Sequence, residues 1–211
     1  MADWLNTFFA SYDHTLAAAM HGVQTAFGNV FFNLFSLTSK GGIPLILTGL
    51  ILLLFQKTRS VGFRMLFAIA VGAIFTNLLI KPLVARPRPY FTEGTDYYDW
   101  WLAAGAQTES EYSFPSGHST ASMATAIALF FSLPKKWSWA FFFYPLVMGM
   151  ARVYLMVHFA SDVLFGFLFG AVGGVLGVLA ANGIMRLFKG KVKTFWQEWS
   201  IVRLFRKKQD S

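Results

Sequence analysis

The sequence predicts an all-α fold: a polytopic membrane helical bundle of about six transmembrane helices. Of its 211 residues, 55% are apolar and 18% aromatic but only 13% charged, a composition too apolar for an ordinary soluble domain. Uncharged apolar stretches recur along the chain at lengths near the roughly 20 residues that cross a hydrocarbon core. Lys and Arg gather in particular connections between those stretches, as they do around membrane spans.

The first expected span, residues 14–37, is interrupted by Gly22, Gln24, Gly28, Asn29 and Asn33. An interfacial helix followed by a short buried one is its alternative. The second covers 41–56 and the third 63–81, where Pro82 predicts a helix end because proline disfavours helical geometry in the residue before it. Pro87 and Pro89 keep the following chain extended or turned. The fourth runs over 117–133, the fifth over 137–158 and the sixth over 162–186. The sixth carries a stripe of Gly166, Gly170, Gly173, Gly174 and Gly177, which lets helices approach closely. Connections are short except for 82–116, and no repeat or linker divides the chain, so residues 1–190 read as one membrane-embedded domain. Residues 191–211 read as a basic amphipathic tail, with Val192, Phe195, Trp196, Trp199, Val202 and Phe205 at helical spacing.

Net charge of +8 raises the possibility of a nucleic-acid partner. The cations are spread by loop rather than gathered on one soluble face, so none is expected. No cysteine is present, which rules out disulfides and thiolate metal sites. The start, Met1-Ala2-Asp3-Trp4, lacks the positive region of a cleaved signal peptide.

Sidedness follows from the positive-inside rule. Lys57, Arg59 and Arg64, then Lys135 and Lys136, then eight basic residues between Arg186 and Lys208 mark cytoplasmic ends. The long connection carries Glu93, Asp96, Asp99, Glu109 and Glu111 against Arg86 and Arg88, which places it outside; Lys40 is the discordant cation. Aromatic residues of that connection, Tyr90 and Trp101 among them, suit an interfacial belt or a lid.

Three polar clusters then fall on the outer side: Lys81 with Arg88-Pro89; Pro115-Ser116-Gly117-His118; and Arg152 with His158 and Asp162. Charges in or beside a span are costly, which makes function their default reading. Taken alone, the first cluster reads as cations snorkelling to the interface. In the second, Ser116 can cap the fourth helix while Gly117 admits a bound group to free N–H donors that favour an anion. An ordinary cap with an interfacial His118 is the competing reading. In the third, His158 and Asp162 are four apart and would share a face if the helix continued, letting the carboxylate fix the imidazole. Arg152 would lie about 120° from that face, so its long side chain or a helix break must close the gap. A structural His–Asp pair is the alternative there. Three cations make a metal held by His118, His158 and Asp162 a poor fit. His14 and His21 read as packing.

Order and spacing of the three clusters resemble the type 2 phosphatidic acid phosphatase superfamily, in its membrane-embedded bacterial lipid phosphatase branch: a lysine, six residues, Arg-Pro; then Pro-Ser-Gly-His; then Ser-Arg, five residues, His, three residues, Asp. Ala151 stands where the family often has serine. The resemblance implies that His158 attacks phosphorus, Asp162 orients it, and His118 protonates the leaving oxygen and then activates water. It further implies that Lys81, Arg88, Arg152, Ser116 and Gly117 hold the phosphoryl oxygens, with neither metal nor cofactor. The expected enzyme is a multi-pass protein of the inner (plasma) membrane, acting on a lipid phosphate at the outer face, with its C-terminus cytoplasmic. Undecaprenyl diphosphate is the leading substrate; phosphatidylglycerophosphate and phosphatidic acid are alternatives. A lipid phosphotransferase and, from another class, an anion transporter compete.

Overall fold

The structure, a computed structural model, describes residues 1–91, 94–109 and 112–202. Its elements in chain order are α1 (Ala2–Phe8), α2 (Ala10–His21), α3 (Ala26–Leu37), α4 (Ile43–Leu53), α5 (Arg59–Ala73), α6 (Lys81–Val84), α7 (Asp96–Ala103), α8 (Gly117–Ser132), α9 (Lys135–Ser138), α10 (Phe143–Tyr154), α11 (Ala160–Arg186) and α12 (Gly190–Glu198). No strand occurs among the described residues. Glu93, Glu111, Phe205 and the other tail residues from 203 onward, which entered the charge and amphipathicity arguments, lie outside them.

Helices α5, α8 and α11 pack together at the centre, and the glycine stripe explains how they approach so closely. A Cβ on Gly173 would stand 2.6 Å from Gly72 Cα, and one on Gly177 would stand 2.5 Å from Ala68 Cα, so these two face the backbone of α5. Gly166 and Gly170 face α8 instead, 2.7 Å from Ser116 O and 2.6 Å from Thr120 O. One helix thereby presses its backbone against two others. Met65, Ala68, Ile69, Ala124, Ala128 and Val178 fill the space between them.

The interrupted first span divides as its polar residues allow. α2 and α3 are separate helices, and Thr25 begins α3 by accepting from Gly28 N at 3.0 Å. His14 and His21 dock α2 on α7: His14 Nε2 lies 3.1 Å from Asp96 Oδ2, and the His21 ring stacks on Trp100. Between α3 and α4 the chain bends at Gly41 and Gly42, whose φ of 59° and 71° suit residues without Cβ.

Pro82 does not end the third span. α5 continues through a π-helical segment, Ile74–Ile80, into α6, where Pro82 occupies the first turn and gives up no needed N–H. The helix ends instead at Ala85, in the left-handed region at φ 50°.

By length and composition three stretches can cross a membrane: 26–53, 59–91 and 160–186. The expected first and second spans meet that measure only jointly, as the one stretch 26–53, and the expected fourth and fifth do not meet it. α8 has 16 residues, and a 3-10 turn at Trp139–Phe142 divides α9 from α10. Helix α12 is pinned by Arg59. That guanidinium donates to Trp199 O at 2.6 Å and lies over the rings of Trp196 and Trp199.

Candidate active site

His158 sits where α10 unwinds. The amides of Val157 and His158 both donate to Arg152 O at 3.3 Å, and Met156 adopts φ 53°, so the chain turns before α11 begins. This break closes the angular gap between Arg152 and His158 that a straight helix would leave. It also changes how Asp162 meets the imidazole. The two do not share a helix face; Asp162 is in the first turn of α11 and accepts from Phe159 N at 2.9 Å through Oδ2. That same oxygen lies 3.5 Å from His158 Nδ1, which has no hydrogen-bond partner. On the opposite side of the ring, Nε2 faces Arg88, whose Nη1 is 3.3 Å away and also donates to Val157 O at 2.8 Å.

Ser116 caps α8, its Oγ accepting from Ser119 N at 3.4 Å. Its own amide donates to Asp162 O at 3.0 Å, tying the Pro-Ser-Gly-His turn to the start of α11. His118, in the first turn of α8, is buried with Nε2 unpartnered. Lys81 arrives from the π-helical segment, which winds wider than an α-helix and brings Thr76 and Asn77 to the same side.

Lys81, Arg88, Gly117, His118 and His158 line one cavity of about 340 Å³. Ser116, Arg152 and Asp162 stand behind its wall. Ile46, Ile69, Ala73 and Ala121 form an apolar flank. Five of the eight site residues expected from the sequence, Lys81, Arg88, Gly117, His118 and His158, thus line this cavity, and three do not. Cations and the N-terminus of α8 face the same void as two imidazoles, an arrangement that can hold a tetrahedral anion and move a proton to or from it. Among the described residues, no group of three His, Cys, Asp or Glu side chains converges to hold a metal ion.

Several contributors escaped the sequence reading. Glu109 lines the cavity and pairs with the fully buried Arg152, Oε1 to Nη2 at 2.5 Å. Ser36 on α3 accepts from Arg152 Nη1. Arg86, counted only as an outer-loop cation, is 1% exposed and bonds Asp162 Oδ1 at 2.7 Å and Asp13 Oδ2 at 2.8 Å. One signal for Asp13 was available: a carboxylate beside an apolar stretch demands a partner. Nothing in the sequence says which loop cation reaches it.

Residues 61–186 match the PAP2 superfamily, which is more than half of the chain. An undecaprenyl-diphosphatase of Sulfolobus acidocaldarius is 31% identical over 122 residues, covering 57% of this chain and 55% of the relative. A lipid A 1-phosphatase of Rhizobium johnstonii is 32% identical over 129 residues, 61% of this chain and 51% of the relative. This chain thus spans about half the length of these two curated relatives. Among solved structures, a transmembrane PAP2-type phosphatidylglycerolphosphate phosphatase from Bacillus subtilis superposes with a TM-score of 0.61 at 26% identity, over 85% of this chain and 89% of that one.

Proposed function

Because this chain belongs to the PAP2 superfamily, we propose that it is an integral membrane lipid phosphatase working through a phosphohistidine. The observation that carries this reading is the meeting of His158, His118, Lys81, Arg88 and the α8 N-terminus around one cavity with an apolar flank. His158 Nε2 attacks phosphorus, forming P–N as the P–O bond to the lipid breaks, and His118 Nε2 delivers its proton to the departing oxygen. Asp162 accepts from His158 Nδ1–H throughout. In the second step His118 takes a proton from water, whose oxygen attacks phosphorus as the P–N bond breaks, releasing orthophosphate and free His158. Phosphoryl transfer depends mainly on positioning and on charge at the equatorial oxygens. Lys81, Arg88 and the first amides of α8 supply that charge directly, and Arg152 supplies it once Glu109 gives way; no metal is required.

The apolar flank favours a substrate whose phosphate is attached to a membrane lipid. Undecaprenyl diphosphate leads, and phosphatidylglycerophosphate and lipid A phosphates are the alternatives that the relatives' own names support, with phosphatidic acid a further alternative. We place the cavity at the outer face of the inner (plasma) membrane and α12 at the cytoplasmic face. Arg59 and Lys81 are 22 residues apart on one continuous helical run, at most about 33 Å at the α-helical 1.5 Å per residue because Ile74–Ile80 is wound wider, near the thickness of a hydrocarbon core.

Purified full-length protein, in detergent with chelator, is given each of these lipids and assayed for free phosphate. The reading expects turnover with at least one lipid and none after His158→Ala. Undiminished release by that variant rejects the mechanism, loss of activity with chelator revives a metal, and transfer to a lipid acceptor without free phosphate marks a phosphotransferase.

A further inference from the structure

The carboxylate that faces His158 is itself held by Arg86 at Oδ1 and by the Phe159 amide at Oδ2. Arg86 Nη1 donates to Asp162 Oδ1 at 2.7 Å and to Ser161 Oγ at 2.8 Å, while Nη2 donates to Asp13 Oδ2 at 2.8 Å and Nε to Asn6 Oδ1 at 2.8 Å. Asp13 in turn accepts from Ser161 N at 2.7 Å and from Ser161 Oγ at 2.8 Å. The guanidinium plane lies over the Phe159 ring, 3.8 Å from its centre. Arg86, Asp13, Ser161 and Asp162 are each 1% exposed or less. Tyr97 covers the cluster, its ring edge against Phe159; burial first, then the charge of Asp13, push its phenol up to about 12, so it stays neutral there.

We propose that Asp13 and Arg86 are positioning residues that set the Asp162 carboxylate toward His158, so that α2 completes the candidate active site. This rests on the phosphatase reading and deepens it. Both contributing helices, α1 through Asn6 and α2 through Asp13, precede the stretch 61–186 that matches the superfamily. None of the three sequence clusters includes Asp13 or Arg86.

The reasoning is geometric and electrostatic. A carboxylate has two oxygens, and whichever is not engaged elsewhere serves the imidazole. Arg86 claims Oδ1 with a single charge-assisted bond from Nη1, which leaves Oδ2 for the Phe159 amide and His158 Nδ1. Asp13 is the charged partner at the other end of Arg86, whose remaining partners, Asn6 and Ser161, are neutral; without Asp13 the guanidinium loses its second ion pair. Two carboxylates and one guanidinium leave one negative charge beside His158. That charge suits the positive charge the imidazole gains while its Nε2 carries a phosphoryl group and its Nδ1–H donates to Asp162.

A merely structural staple between α2 and α11 would share these contacts, so the test uses the dependence on Asp162. Arg86→Gln and Asp13→Asn are made in full-length protein and again in the Asp162→Asn background. kcat and KM are measured with the best lipid substrate, at micromolar enzyme so that slow turnover stays readable. The proposal expects kcat to fall about 30-fold for either variant, within the range for residues that orient a reacting group, with KM within about 2-fold. In the Asp162→Asn background the same substitutions should cost less than about 2-fold more. Equal losses in both backgrounds, a change confined to KM, or full activity overturns the positioning role. Asp13→Asn is nearly isosteric and keeps its acceptor for the Ser161 amide, so it decides the matter if Arg86→Gln fails to fold. Wild-type protein that turns over none of the lipids defeats the phosphatase reading and this role with it. Wild-type turnover alongside unimpaired variants defeats this role alone.

Discussion

Gly177→Ala tests the central helix packing with a single methyl group. The new Cβ would stand 2.5 Å from Ala68 Cα and 2.6 Å from Ala68 N. Ordinary carbon contacts begin near 3.4 Å, so α11 and α5 must separate locally by about 1 Å. Both atoms belong to backbone, and no side chain can rotate out of the way. Overpacking of this kind costs about 1–3 kcal/mol, and a backbone clash belongs at the upper end. Alanine's better helix propensity offsets about 1 kcal/mol, leaving a net loss of about 2 kcal/mol. For a chain of this size that lowers the apparent Tm by about 4–8 °C. Gly183→Ala is the control, because a Cβ there meets nothing within 4 Å; it gains the propensity term alone and raises Tm by about 2–4 °C. The assay is thermal unfolding of both purified variants in one detergent, followed by size-exclusion chromatography. An unchanged or higher Tm for Gly177→Ala, or equal shifts for the two variants, would refute the packing argument.

Removing the Glu109 carboxylate with Glu109→Gln should strengthen inhibition by orthovanadate or inorganic phosphate about 10-fold, because an anion then meets Arg152 without a competing negative charge. The same variant should unfold at lower temperature, since buried Arg152 loses its charged partner. Tighter inhibition curves and a lower Tm check the two parts separately. Arg59→Ala should free α12, seen as faster proteolysis within 190–202 at unchanged phosphate release, because the guanidinium that docks Trp196 and Trp199 is remote from the cavity.

Much of the candidate site was legible because its chemistry is written in short local patterns. Pro115 to His118 opens α8 as its Ser and Gly suggest, and the glycine stripe of α11 marks a face pressed against neighbours. Lys81, His118 and His158 reach one cavity from three separate stretches, which loop-by-loop sidedness anticipated. Other features depend on chain paths that no local pattern encodes. Spacing put His158 and Asp162 on one face only if the helix continued, whereas they meet across the turn between α10 and α11. Pro82 looked like a helix end because a π-helical segment ahead of it cannot be read from composition. Asp13 and Arg86 are 73 residues apart, and Glu109 and Arg152 are 43 apart. These pairs are made by tertiary folding, and a sequence shows only that each buried charge needs some partner.

The most direct measurement traps the covalent intermediate. Full-length protein is mixed briefly with a lipid phosphate labelled in its terminal phosphoryl group, quenched in base to protect an acid-labile P–N bond, digested, and mapped by mass spectrometry. The account predicts label on His158, and none there after His158→Ala. Rapid release of phosphate with no labelled histidine, or with label on a different residue, contradicts it.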